Sequence, residues 1–191
     1  DCIVIATPNF CHISDLQEVG EHIQVPILVE KPVVTNLEDI KVLIDFDKAY
    51  GAPIWVAMEY RYMPPVAKFI KEIQNRSIGN IKTLSIREHR FPFLVKVKNW
   101  NRFSKNTGGT LVEKCCHFFD LMRFITKSEA KHVYASGNQD LNHLTEIYDN
   151  KTPDIIDNSF VIVDFQNGVR GMLDLCMFAE NSNYQEELEP I

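Results

Sequence analysis

Along residues 1–60 apolar positions fall in short unbroken runs separated by longer amphipathic stretches. Cys2 to Ala6 is a continuous apolar run, the pattern of a parallel strand buried on both faces. Thr7-Pro8-Asn9 breaks it, and His12 to His22 carries a short helical pattern. Pro26 to Val29 is a second such strand, stopped by Glu30-Lys31-Pro32. Thr35 and Glu38 have the spacing of a capping box, ahead of a helix running to about Tyr50. Leu37, Ile40, Leu43, Ile44 and Phe46 form its apolar side, with Val42 less well placed. Gly51-Ala52-Pro53 ends it, and Ile54 to Met58 is a third strand. Strand and helix alternating through short joints predict right-handed parallel crossovers, a piece of a doubly wound α/β sheet.

After Arg61 the pattern changes. Pro64-Pro65 opens a helix with Val66, Phe69, Ile70 and Ile73 at helical spacing. Ile78-Gly79-Asn80 turns into a strand from Ile81 to Glu88. Residues 90–107, rich in aromatic and basic side chains, read as a long loop of the kind that carries function. Gly108-Gly109 leads into a helix from about Thr110 to Ile125, and His132 to Gly137 is a strand. Asp140 to Asp157 is a polar loop. Ser159–Phe165 and Val169–Phe178 flank Gln166-Asn167-Gly168, a hairpin signal. The second part is therefore α+β with an open, mainly antiparallel sheet.

Composition narrows the possibilities without changing this outline. The chain has 191 residues, 45% hydrophobic and 24% charged, values of an ordinary globular protein. Acidic residues outnumber basic ones 26 to 20 and no Lys/Arg-rich run occurs, which argues against nucleic acid as a partner. Every apolar run is shorter than the ~20 residues that cross a bilayer, so no membrane partner is expected. The five cysteines follow no repeated spacing, which points to a reducing, cytoplasmic setting. Cys11-His12 and Cys115-Cys116-His117 put potential ligands next to each other, where they chelate poorly, so no metal is expected.

Three clusters carry candidate chemistry. Thr7-Pro8-Asn9, with His12 after it, lies at the carboxyl end of the first strand, where doubly wound sheets bind ligands; Asn9 could equally cap the next helix. Glu30-Lys31-Pro32 ends the second strand and can present Lys31 to the same crevice, or can be an exposed ion pair. In Gly108-Gly109-Thr110-Leu111-Val112-Glu113-Lys114-Cys115-Cys116-His117-Phe118-Phe119-Asp120, helical spacing brackets His117 between Glu113 and Asp120. Carboxylates so placed set an imidazole's tautomer for proton transfer, or form a solvated polar face.

In this order the clusters resemble the Gfo/Idh/MocA family of nicotinamide-dependent oxidoreductases. The resemblance rests on Ala6-Thr7-Pro8-Asn9, Glu30-Lys31-Pro32, Tyr60-Arg61-Tyr62 with Pro64, Ile78-Gly79-Asn80-Ile81, and the signature matched at Gly108, Gly109, His117 and Asp120. It implies an NAD- or NADP-dependent oxidoreductase moving hydride between the cofactor and a sugar, inositol or related polyol. In that family's terms Lys31, His117 and Glu113 are catalytic. Thr7, Pro8, Asn9, His12, Glu30 and Lys31 line the cofactor, with Trp100 and Arg102 covering it or meeting substrate. Residues 1–60 would be the C-terminal portion of an NAD(P)-binding Rossmann domain without its N-terminal half and its glycine-rich phosphate loop. Residues 61–191 would be a substrate-binding and oligomerisation domain, itself cut short, with identical chains associating through the open sheet. Glu113 stands where the family usually has Asp, and Cys115 where it usually has Gly. The alternative is a non-catalytic member, a nucleotide or sugar sensor or a structural subunit.

Overall fold

The three apolar runs form strands and the amphipathic stretches between them form helices. In the computed structural model, which describes residues 1–191, the order is β1 (Ile3–Ile5), α1 (His12–His22), β2 (Ile27–Val29), α2 (Glu38–Ala49), β3 (Ile54–Val56), α3 (Pro64–Gln74) and β4 (Thr83–His89). There follow α4 (Ser104–Thr107), α5 (Thr110–Glu113), α6 (Cys116–Thr126), β5 (Ala130–Asn138), β6 (Asn158–Phe165), β7 (Arg170–Cys176) and β8 (Glu186–Pro190). Two units result: residues 1–58 with 103–116, and residues 59–102 with 117–191. The first crossing lies close to the expected division at residue 60. Residues 103–116, expected in the second part, fold with the first.

In the first unit β1, β2 and β3 are parallel, with Ile3, Ile27 and Ile54 in register. Ile5, Ile27 and Val29 pack with Leu16 of α1 and Tyr50, and Leu43 and Phe46 of α2 join them. Burial on both faces, expected from the continuous apolar runs, does not hold. Val4, Leu28 and Trp55 are register partners on the opposite face, and Val4 and Trp55 are about 60% exposed. Alternate strand residues point to opposite sides, and the core cluster draws only on the face of Ile3, Ile5, Ile27, Val29, Ile54 and Val56. The cap of α2 also differs from expectation. Asn36 Oδ1 accepts the Asp39 N–H at 2.9 Å while Asn36 Nδ2 donates to Asp39 Oδ2 at 2.7 Å. The reciprocal pair is thus one residue later than Thr35–Glu38, because an amide side chain offers both acceptor and donor.

Gly108 joins the outlying segment to this unit. Its φ is 78°, and a Cβ there would sit 3.0 Å from the Thr35 carbonyl and 2.7 Å from Val112 Cγ1. Only glycine adopts this backbone at so close an approach without strain.

The second unit holds a five-stranded sheet of order β5-β6-β7-β4-β8, antiparallel except for β4 beside β7. One face is buried: Leu84, Ile86, Val161, Val163, Leu173 and Leu175 lie beneath it, and α6 contributes Phe118, Leu121, Met122 and Ile125. Gly171 lets α6 come close, since a Cβ there would lie 2.9 Å from Met122 Sδ. On the other face Tyr134, Ile162 and Met172 form an exposed row in register across β5, β6 and β7. The expected hairpin closes as read, with Gly168 at φ 86° and its N–H on Phe165 O at 3.0 Å. β8 was not legible: Glu186-Glu187-Leu188-Glu189-Pro190 has no apolar alternation, and an edge strand needs only backbone pairing.

The expected continuous helix from Thr110 to Ile125 is interrupted. α5 stops at Glu113, the N–H groups of Lys114 and Cys115 both turn to Thr110 O (2.9 and 3.4 Å), and α6 starts at Cys116. Glu113 and His117 therefore belong to two separate helices. No helix is long and apolar enough to cross a membrane.

Candidate active site

Parallel pairing brings the carboxyl ends of β1 and β2 to one edge, so Thr7-Pro8-Asn9 and Glu30-Lys31-Pro32 come together. His12 ties them. Fully buried, its Nδ1 lies 2.7 Å from Pro32 O and its Nε2 2.9 Å from Thr7 O. Read from sequence as cofactor-lining, His12 is enclosed between two backbone carbonyls and positions the loops. Thr7 Oγ1 donates to Asp15, and Pro8 precedes a short 3₁₀ turn at Asn9–Cys11. Glu30 accepts the Lys31 N–H at 3.2 Å, and the Lys31-Pro32 peptide is cis. Lys31 Nζ donates to the Glu113 carbonyl at 2.9 Å, joining the strand end to the segment after the paired glycines. It is the backbone of Glu113 that Lys31 meets, and the Glu113 carboxylate is buried.

A dinucleotide suits this edge on one observation. Asn9 is 8% exposed, yet its Nδ2 has no hydrogen-bond partner in the protein. A buried donor left in this way is rare and favours an acceptor from outside the chain. Thr7, Asn9 and Glu30 offer hydroxyl, amide and carboxylate groups at the place where doubly wound sheets hold such ligands.

In the second unit His117 is 2% exposed. Asp120, expected to bracket it, is engaged elsewhere: Arg61 Nε donates to Asp120 Oδ2 at 2.6 Å, and Arg61 Nη2 to Oδ1. This two-pronged pair is favoured by the guanidinium's planar fork. Its hydrogen bonds to Asp120 raise the Arg61 pKa. The neighbours of His117 are instead Glu59, whose Oε1 lies 3.4 Å from Nε2, and Tyr60, whose ring stacks on the imidazole at 4.3 Å and 9°. Tyr60 also donates its hydroxyl to Glu186 Oε1 at 2.8 Å. Burial first, then the bond to Glu186, pushes that hydroxyl's pKa well above the ordinary tyrosine value. Glu59 and Tyr60 were missed as site residues. They open the 3₁₀ segment Glu59–Tyr62, separated by two residues from the end of the third parallel strand, and that position was the available signal.

Arg102, expected to cover the cofactor or meet substrate, is corrected to a structural role. It is 3% exposed, with Nε on Glu146 Oε2 and Nη1 on Phe93 O, both at 3.1 Å. Glu146 also meets His143 and Tyr148, both at 2.8 Å. Burial raises the Glu146 pKa, but the bonds from His143, Tyr148 and Arg102 outweigh it and hold the carboxyl below its usual range. A buried guanidinium committed to a loop in this way has little freedom to reach a ligand. Trp100 is half-buried in the 3₁₀ segment Val97–Arg102.

A parallel strand edge bearing a lysine and an α+β structure with an open sheet make up the two units of the chain. The chain belongs to the Gfo/Idh/MocA oxidoreductase family, whose C-terminal alpha/beta domain matches residues 70–191. It is 29% identical over 131 residues to glucose-6-phosphate 3-dehydrogenase of Bacillus subtilis, covering 66% of this chain and 37% of that protein. It is 24% identical over 176 residues to myo-inositol 2-dehydrogenase of Thermotoga maritima, covering 91% of this chain and 49% of that protein. Among solved structures, the WlbA dehydrogenase from Bordetella pertussis, in complex with NADH and UDP-GlcNAcA, superposes with a TM-score of 0.78. There the identity is 18%, over 100% of this chain and 56% of that one. The chain thus spans about half the length of these proteins, or less.

Proposed function

We propose that the whole protein is an NAD- or NADP-dependent oxidoreductase acting on the CH–OH group of a polyol or sugar, with Lys31 and His117 handling the proton. The observation that carries this reading is the Lys31 amine at the carboxyl edge of the parallel sheet, held by Glu113 O at 2.9 Å. When bound, the nicotinamide supplies the hydride acceptor or donor. Asn9, Thr7 and Glu30 are the residues we assign to holding it. An amine keeps at least two N–H groups in either protonation state. One N–H can therefore stay on Glu113 O while another position on Nζ receives or returns the hydroxyl proton. The same anchor serves both directions of the reaction. His117, stacked on Tyr60 and nearly closed to water, presents a ring that cannot rotate freely to the substrate hydroxyl or its proton. We further assign the exposed row Tyr134, Ile162 and Met172 to association of identical chains, since an apolar sheet face of this kind marks an interaction surface.

The test compares full-length wild type with Lys31→Ala and His117→Ala, using NAD and NADP against a polyol panel. Each substitution should lower kcat by about a hundredfold or more, the range of a lost general acid–base group. Undiminished turnover in Lys31→Ala would remove the proposed base. Cofactor binding with no turnover on any polyol would favour a sensor.

A further inference from the structure

The chemistry above leaves unused a cavity of about 400 Å³ in the second unit, enclosed by the ends of α3 and α6, the turn into β4 and the β6–β7 hairpin. Thr126, on its wall, lies nine residues along α6 from His117, about 14 Å at 1.5 Å per residue. The volume falls in the ~300–1,000 Å³ range of small-molecule sites. Ile73, Ile81, Ile125 and Val169 form an apolar wall, and Arg76, Lys82 and Lys127 supply charge. No carboxylate lines the cavity, and none of the three cations forms an ion pair. Glu129, two residues beyond Lys127, is taken by Arg123 at 2.6 and 2.9 Å. In a chain of net charge −6, three unmatched cations around one cavity run against the composition.

Cations are favoured at helix C-termini by the helix dipole, which accounts for one charge at each helix end. It does not account for the rest. Arg76 and Lys127 sit at φ 57° and 52° just past their helices, where glycine or asparagine is the usual residue. Lys82 belongs to neither helix. Its backbone is fixed, with the N–H on Ile191 O at 2.7 Å and the carbonyl accepting the Arg170 N–H at 3.1 Å. Asn167 Nδ2 donates to Thr126 O at 3.0 Å and its Oδ1 accepts the Val169 N–H at 3.1 Å, tying the hairpin to the end of α6 where both border the cavity. Thr126 is 9% exposed, and its hydroxyl has no hydrogen-bond partner in the protein. A buried hydroxyl left in this way is rare and favours a partner from outside the chain.

We propose that this cavity is a second ligand site, distinct from the one at Lys31 and His117, which binds the phosphate group of a small organic phosphate. A guanidinium and two ammonium groups match the charge of a phosphate monoester near neutral pH and reach its oxygens through charge-assisted hydrogen bonds. The isoleucines and Val169 take the carbon skeleton. A free phosphate ion shares the charge chemistry but leaves that apolar wall uncovered.

The experiment is isothermal titration calorimetry on the full-length protein, with glycerol 3-phosphate, inorganic phosphate and glycerol as probes. Three charge-assisted contacts worth about tenfold each give an expected Kd of about 1 mM or tighter for glycerol 3-phosphate. Inorganic phosphate should bind several-fold more weakly, and glycerol should give no heat at this site. Arg76→Gln, Lys82→Gln and Lys127→Gln should each weaken glycerol 3-phosphate about tenfold. Arg76→Lys should keep most of the affinity, and Lys41→Gln, in the first unit, should bind as wild type. All these side chains are exposed, so the variants should melt with wild type. Affinity unchanged in all three glutamine variants places the anion elsewhere and overturns the inference. So does an absence of binding heat from both phosphates at about 10 mM. Inorganic phosphate binding as tightly as the ester, and lost in the same variants, would overturn the organic ligand in favour of the free ion.

Discussion

The Asp157 carboxylate is 2% exposed and closes the long loop that starts near residue 139. It accepts the N–H groups of Asp140 at 3.0 Å, Leu141 at 2.8 Å and Asn142 at 2.7 Å, and the Asn158 side-chain amide at 3.0 Å. Burial alone would raise its pKa, yet the bonds from Asn142, Asp140, Leu141 and Asn158 win, and the carboxyl sits below its usual range. Asp157→Asn keeps the shape and removes one acceptor. The amide should turn its NH2 toward the Asp140 side, because Asn158 Nδ2 has a second acceptor there in Asp140 Oδ2 at 2.6 Å. The part-buried bond from the Asp140 N–H is then lost, at about 1–2 kcal/mol. The bonds to Leu141 and Asn142 also lose their charge assistance, about 1 kcal/mol more in total. The sum is about 2–3 kcal/mol, or roughly 4–12 °C in Tm for a chain of this size. A carboxyl whose pKa is lowered by folding stabilises above the unfolded value, about 3.9, and loses that effect as pH falls through the folded value. The gap between wild type and variant should therefore be wide at neutral pH and close below about pH 4. Scanning calorimetry across that range checks both. A gap under about 2 °C at neutral pH, or one that stays constant until wild type itself acid-unfolds, would refute the assignment.

Two further outcomes follow from the packing. Gly108→Ala puts a Cβ 2.7 Å from Val112 Cγ1 at a φ of 78°, so it should destabilise by about 2–4 kcal/mol and lower turnover as the segment shifts from Lys31. A melting temperature equal to wild type would show the segment accommodates the methyl. Ile162→Lys places a charge in the exposed apolar row and should shift the protein to a smaller assembly in light scattering, with the fold unchanged by circular dichroism. An unchanged mass would remove that row from the interface.

The local chain already determined the alternation of β1, α1, β2, α2 and β3, and the turn at Gly168, because run length, helical period and turn residues act over a few positions. It also placed Thr7–Asn9 and Lys31 at one sheet edge, since parallel crossovers leave no other arrangement. What it could not settle depended on partners distant in the chain. His117 looked bracketed by Glu113 and Asp120 on helical spacing, but Arg61, 59 positions before Asp120, takes that carboxylate. The break after Glu113 then leaves Glu113 and His117 in two separate helices rather than the one assumed for them. Arg102 looked available for a ligand until Glu146, from a loop 44 residues on, enclosed it. Residues 103–116 were assigned by adjacency to the wrong unit, because the Lys31–Glu113 contact spans 82 positions. Spacing predicts who shares a face of one element; which distant charge satisfies a buried group is settled only when tertiary packing removes water from both.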